Sequence, residues 1–209
     1  DDLAEAGFTI VAPDLRAHGT SPAGDSLSIE SHRDDVLLLG GRWDLLVGHS
    51  LGGAIAAAAM AADPTFAARV VLEDPAIDSD VTARFLASFP EPSLHPTIEA
   101  IAAEHPNWDP HDVELKVEAL LQCGPEVSER TMKDASPWDT WPAVLAMPVP
   151  LLLLGADPVD GSLVTAANGA EAVAANANIE FVLVDGAGHS MHRDAYDRYW
   201  QLMRGFLER

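Results

Sequence analysis

The chain has 209 residues, with 33 acidic against 12 basic side chains and a formal charge of −21. A surface of that sign repels phosphate backbones and excludes nucleic acid as a partner. Hydrophobic residues at 48% and charged residues at 22% exclude a disordered chain and fit a globular protein with one main core.

No apolar run approaches the roughly 20 residues that a membrane-spanning helix requires, so no membrane partner is expected. Cys123 is the only cysteine, which rules out an intrachain disulfide and a thiolate metal cluster. It reads as a small packing residue in a Gln-Cys-Gly-Pro stretch. The segment Asp1–Gly7 has neither the basic nor the apolar region of a secretory signal, and a cytoplasmic location is expected.

In chain order, residues 2–6 read as the end of a helix stopped by Gly7, and Phe8–Ala12 as a buried strand halted by Pro13 and Asp14. A helix follows over 31–39 with Ser28 or Ser31 as its cap. Next come a short strand at 43–47, the turn Gly48-His49-Ser50-Leu51-Gly52-Gly53 and an alanine-rich helix over 54–62. Arg69–Leu72 is another buried strand, ending at Glu73-Asp74-Pro75. This alternation predicts a mainly parallel α/β sheet with flanking helices. From 76 to 141 prolines recur between amphipathic pieces such as 113–121, a pattern expected of an inserted helical cap. The sheet resumes at 149–154, then a helix at 164–175, a strand at 179–184 and a closing helix at 196–207. The expected division is therefore core 1–75, cap 76–141 and core 142–209.

Gly48-His49-Ser50-Leu51-Gly52 satisfies G-x-S-x-G between a strand and a helix, the context in which a serine sits on a strained bend with its hydroxyl exposed. The flanking glycines are expected to leave no room for a Cβ. Ser50 is the candidate nucleophile, and the backbone N–H of Leu51, at the start of the helix, the candidate oxyanion donor. A serine hydroxyl needs a base, and His189 follows a strand through Asp185-Gly186-Ala187-Gly188. His192 is a nearby competitor expected to start the last helix. Chain order nominates Asp157, after the strand at 151–154, as the acid that orients His189. Asp160, Glu73 and Asp74 remain open as alternatives.

These residues resemble the α/β-hydrolase fold superfamily, in its esterase, lactonase and haloperoxidase-like subgroup. Asp14-Leu15-Arg16-Ala17-His18-Gly19-Thr20-Ser21 resembles the D-x-R-G-x-G-x-S segment, with Ala17 in place of the first glycine. Met147–Gly155 resembles the strand before the acid, and Gly186-Ala187-Gly188-His189 the base loop. Asp157 lies one position nearer to Gly155 than the common G-x-x-D spacing puts it. The resemblance implies an earlier strand whose loop, often His-Gly, supplies a second oxyanion donor. This chain begins at the helix after that loop, so an N-terminal truncation is expected.

The activity implied is a serine hydrolase acting on an ester, lactone or related acyl bond, with no cofactor and a small, hydrophobic acyl substrate. Haloperoxidase-like or carbon–carbon bond hydrolysis by the same triad, or a non-catalytic ligand-binding homologue, are the alternatives. Candidate pocket residues are His49, Phe85, Phe89, Trp108, Trp138 and Trp141, although sealing the cap is the duller role for the aromatics. His105, Asp109, His111 and Asp112 match no two-histidine helical metal motif, and no metal is expected.

Overall fold

A computed structural model describes residues 2–87, 96–159 and 161–209, with the backbone alone at positions 85, 86, 125 and 128. Phe89 and Asp160 lie outside the described residues, as does the side chain of Phe85. In chain order the elements are α1 (Asp2–Glu5), α2 (Ile29–Leu38), β1 (Leu46–His49), α3 (Leu51–Ala62), β2 (Val70–Glu73) and α4 (Ser79–Leu86). They continue with α5 (Ile98–Glu104), α6 (Pro110–Cys123), α7 (Pro125–Ala135), α8 (Trp141–Leu145), β3 (Leu151–Ala156), α9 (Ala166–Ala175), β4 (Ile179–Val184), α10 (Met191–Asp194) and α11 (Tyr196–Leu207).

Among the described residues the strands form one parallel sheet in the order β1-β2-β3-β4. Because side chains alternate across a strand, each apolar run feeds two cores. Val70, Leu72, Leu151 and Leu153 pack with Met60 of α3, Val144 of α8 and Ala172 of α9. Val71, Leu152 and Leu154 face the other way, onto Met191 of α10 and Met203 and Phe206 of α11. Burial on both faces explains why β2 and β3 are unbroken hydrophobic runs rather than alternating ones. Helices α4 to α7 form the helical insertion between β2 and β3.

The expected strand at 8–12 is not formed. Ile10 and Val11 are about half exposed, at 51% and 49%, and the segment is irregular. A strand needs a neighbour for its N–H and C=O groups, and among the described residues none lies beside this one. The segment after it is well tied. Asp14 accepts from the backbone N–H and the hydroxyl of Thr20, and the Arg16 guanidinium donates twice to Asp35 on α2 at 2.6 Å. Ala17, standing where the resemblance leads one to expect glycine, holds a left-handed φ of 65°. Of the two proposed caps of α2, Ser28 is the one used, accepting from the N–H of Ser31.

Candidate active site

The turn between β1 and α3 has the predicted strand–bend–helix context, and Ser50 occupies it with φ 53° and ψ −120°. For a residue with a Cβ, a positive φ of this kind costs about 1–3 kcal/mol and persists only where the surroundings enforce it. They do so here. The Ser50 N–H donates to the Glu73 carbonyl at 3.1 Å, and the Ser50 carbonyl accepts from Gly53, Ala54 and Ala76. A Cβ on Gly48 would fall 2.5 Å from the Gly52 carbonyl oxygen, and one on Gly53 would fall 2.5 Å from Pro75 Cβ. Gly52, by contrast, faces open space. The glycines that the bend needs are therefore Gly48 and Gly53, not the pair flanking the serine in the motif. Leu51 is the first residue of α3, so its N–H is one of those with no acceptor inside the helix.

His189 donates from Nδ1 to a carboxylate at 2.7 Å, and that carboxylate belongs to Asp74, just past the end of β2. A carboxylate only accepts, so the neutral ring carries its hydrogen on Nδ1 and its lone pair on Nε2. Asp74 is fully buried, and it also accepts from the N–H groups of Leu163 and Val164 and from the Ser162 hydroxyl. Its backbone is in the left-handed region as well, with φ 38°.

Asp157, the acid that chain order favours, is placed elsewhere. Its carboxylate accepts from its own Val159 N–H, two residues on, and from the Gly186 N–H. Those two bonds, Gly186 first, hold its pKa below the ordinary value. The physical reason is local: past the end of β3 the chain turns into solvent, and an aspartate there closes a turn on its own backbone.

The remaining acidic candidate, Glu73, pairs with a different histidine. Its Oε1 accepts from both the backbone N–H and Nδ1 of His192, at 3.0 and 2.8 Å. His192 sits in the short helix α10, ahead of the closing helix rather than at its start. Burial of Glu73 raises its pKa, but the hydrogen bond and charge of His192, with the charge of His49, more than offset this and leave it lowered. Sequence reasoning missed this second pair. The available signal was the adjacent carboxylates at a strand end, set against two histidines three residues apart.

His49 lies among these groups. Its Nε2 is 2.9 Å from the His189 carbonyl, and its ring centroid is 4.6 Å from that of His189 and 5.2 Å from that of His192. Burial pushes its pKa down to about 4. Since a carbonyl accepts and does not donate, Nε2 of His49 carries the hydrogen.

The three cap-region tryptophans have separate surroundings. Trp138 donates to the Ala76 carbonyl and packs with Ala54, Leu163 and Leu51, so it shares an apolar cluster with residues of the site. Trp108 stacks on His105 at 3.8 Å, lies under the Arg193 guanidinium and donates to Asp194, tying the α5–α6 connection to α10. Trp141 donates to Glu171 on α9 and packs against the core. In the acidic stretch around residue 109, Asp109 caps α6 and Asp112 faces Arg193, so these carboxylates serve the fold.

The profile of the Alpha/beta hydrolase family matches residues 1–202. The chain belongs to that family. The expectations of this fold and of a hydrolase-family enzyme are met. No curated protein matches the chain in sequence. Among solved structures, it is similar to an esterase from Rhodococcus sp. ECU1013, at 20% identity over 99% of this chain and 83% of the other, with a TM-score of 0.72. It is similar to the enol-lactonase from Burkholderia xenovorans LB400, at 22% identity over 93% and 79%, with a TM-score of 0.70. It also resembles 2-hydroxy-6-oxo-6-phenylhexa-2,4-dienoate hydrolase from Rhodococcus sp. strain RHA1, at 21% identity over 100% and 82%, with a TM-score of 0.72. No helix among the described residues is long and apolar enough to cross a membrane.

Proposed function

We propose that this α/β-hydrolase is a serine hydrolase that cleaves an ester, lactone or related acyl bond of a small, largely apolar substrate. Ser50 is the nucleophile, His189 the base and Asp74 the acid, replacing Asp157 in that role. The observation that carries this reading is the buried Asp74–His189 pair, whose aspartate is two residues from Ala76, the donor to the strained Ser50 backbone.

In the reaction the Ser50 oxygen attacks the acyl carbon while His189 Nε2 takes its proton. The Leu51 N–H donates to the oxyanion that forms, and the α3 dipole favours the negative charge there. Collapse of the intermediate breaks the bond to the leaving group, which takes the proton from His189. Water then attacks the acyl-serine, giving up a proton to the same nitrogen; the second intermediate collapses by breaking the bond to the Ser50 oxygen, which takes that proton back from His189, and the acid product departs. Asp74 stays ionised throughout and stabilises the imidazolium. Helices α4 to α7 act as a cap over this site, and Leu51, Leu163 and Trp138 form the apolar wall for the acyl group.

A fluorophosphonate probe tests the reading directly. Wild type is expected to be labelled at Ser50, with labelling abolished in Ser50→Ala and lowered by orders of magnitude in His189→Ala, while His192→Ala still labels. An unlabelled wild type overturns the proposal. Labelling that survives His189→Ala but is lost in His192→Ala transfers the base role to the Glu73 pair.

A further inference from the structure

β1 and β2 run parallel with His49 beside Glu73, so these two side chains leave the sheet on one face, the face of Val71. The next residues, Ser50 and Asp74, lie past the strand ends, where the Asp74 carboxylate meets Leu163, Val164 and His189 instead. The loop carrying His189 straddles the two strand ends. Its imidazole is held from the Asp74 side, while its backbone is held from the His49 and Glu73 side: the His189 carbonyl accepts from His49 Nε2, and the His192 N–H donates to Glu73 Oε1.

The hydrogen bond to Asp74 fixes the direction of the His189 ring, and the position of its Cα is a separate requirement. A base displaced by about 1 Å forfeits on the order of 100-fold in rate. The two backbone bonds act on that position. His49 is suited to the task because the carboxylate beside it in the sheet, Glu73, is already occupied by His192, and because its single hydrogen on Nε2 meets a carbonyl that can only accept. Two anchors three residues apart fix both the position and the direction of the backbone between them.

We propose that His49, together with the Glu73–His192 pair, is a positioning clamp that holds the backbone of the base loop so that His189 lies between Asp74 and Ser50. This rests on the serine-hydrolase reading above. It makes the residue before the nucleophile a positioning residue for the base, not a wall of the substrate pocket.

The test is the kcat and KM of p-nitrophenyl butyrate hydrolysis by wild type, His49→Leu and His49→Gln. Glutamine places an N–H at the reach of Nε2, whereas leucine keeps the bulk and removes the donor. His49→Leu is expected to lose about 10- to 100-fold in kcat with KM within about twofold. His49→Gln is expected to regain most of that loss. An unchanged kcat in His49→Leu, or a glutamine variant as slow as the leucine one, overturns the clamp. If His49→Leu does not fold, Glu73→Ala takes its place, with the same kcat-selective loss expected and an unchanged kcat overturning the proposal. Should wild type fail to hydrolyse the ester or to label at Ser50, the function reading has failed, and the clamp is then read by NMR. The His189 Nδ1–H resonance is expected to be sharp in wild type and His49→Gln and exchange-broadened in His49→Leu, and an identical resonance in all three overturns the clamp.

Discussion

β2 and β3 are neighbours in the sheet, both buried on two faces and both ending in acidic residues, yet their ends behave in opposite ways. At the end of β2 the carboxylates are interior: Glu73 is 2% exposed and Asp74 fully buried, and each is held by a histidine and by backbone N–H groups. At the end of β3, Asp157 closes a loop on Val159 and Gly186. A buried carboxylate is stable only when its charge is met by donors, and the donors at β2 come from two distant stretches of the chain, residues 162–164 and 189–192. The contrast teaches that chain order selects a strand end, whereas burial with non-local partners selects the carboxylate that meets His189.

The sharpest way to break this contrast is to exchange the two acids. Asp74→Asn keeps the shape but not the charge opposite His189, and a loss in kcat of about 10³- to 10⁴-fold is expected. Asp157→Asn retains an acceptor for its loop, and a change of less than about threefold is expected, because surface substitutions of this kind are small. Steady-state ester hydrolysis by the two variants decides it, and the opposite ranking would restore Asp157 as the acid.

Much of this was legible in the sequence, and the limits have identifiable causes. β2 and β3 were readable from short apolar runs bounded by turn residues, β4 from its β-branched and aromatic content, and the closing helix from its apolar residues at helical spacing. The Ser50 bend was readable because G-x-S-x-G carries its own strand and helix. The carboxylate that pairs with His189 was not, because Asp74 is distinguished from Asp157 by Leu163, Val164 and His189, which lie 89 to 115 positions further on. The irregular path of residues 8–12 was hidden for a related reason: an apolar β-branched run states a preference, but a ladder needs a neighbour that composition cannot supply.

Acid stability sharpens the same comparison. The His49 pKa is pushed from 6.5 down to about 4 by burial, against the pull of Glu73. Above pH 6.5 the ring is neutral in folded and unfolded chains alike, and stability is complete. As pH falls from 6.5 toward 4, the unfolded chain binds a proton that the folded ring refuses, so stability is lost across that window and levels off below it. A fully desolvated ring would lose about 3 kcal/mol, and the partial exposure of His49 makes the effect smaller. Glu73, whose folded pKa is lowered, adds a further loss beneath its ordinary value near 4.5. Thermal melts of wild type and His49→Gln between pH 7 and 4 are expected to converge at low pH, as wild type loses the larger increment. Parallel curves would refute it.

Gly53 tests how tightly the β2 end is built. A Cβ there would meet Pro75 at 2.5 Å, next to Asp74, whereas one on Gly52 meets nothing within 4 Å. Gly53→Ala is expected to cost about 1–3 kcal/mol by overpacking. Gly52→Ala is expected to change stability by less than about 1 kcal/mol, the scale of an alanine-for-glycine gain at a compatible position. Chemical denaturation of the two variants measures the difference, and equal midpoints would mean that the bend is looser than its geometry implies.

The smallest effect concerns strain itself. Among the described residues the non-glycine positions with positive φ are Ala17, Ser50 and Asp74. Two of these, at the β1 and β2 ends, are the proposed nucleophile and acid, and strain of this kind accompanies function. Ala17 stands in the Asp14–Ser21 turn, whose bonds run to Asp14 and Pro22. If strain at the site is held for chemistry while strain at Ala17 is incidental, glycine should release both with opposite functional results. Ala17→Gly relieves about 1–2 kcal/mol of left-handed strain, less about 0.4–1 kcal/mol for the freer unfolded chain. The expected net gain therefore lies between about 0 and 1.6 kcal/mol, with kcat unchanged. Ser50→Gly should melt no lower than wild type while losing all labelling. A Ser50→Gly variant that melts well below wild type would show that the bend is held by the serine side chain and not imposed on it by Gly48, Gly53 and Pro75.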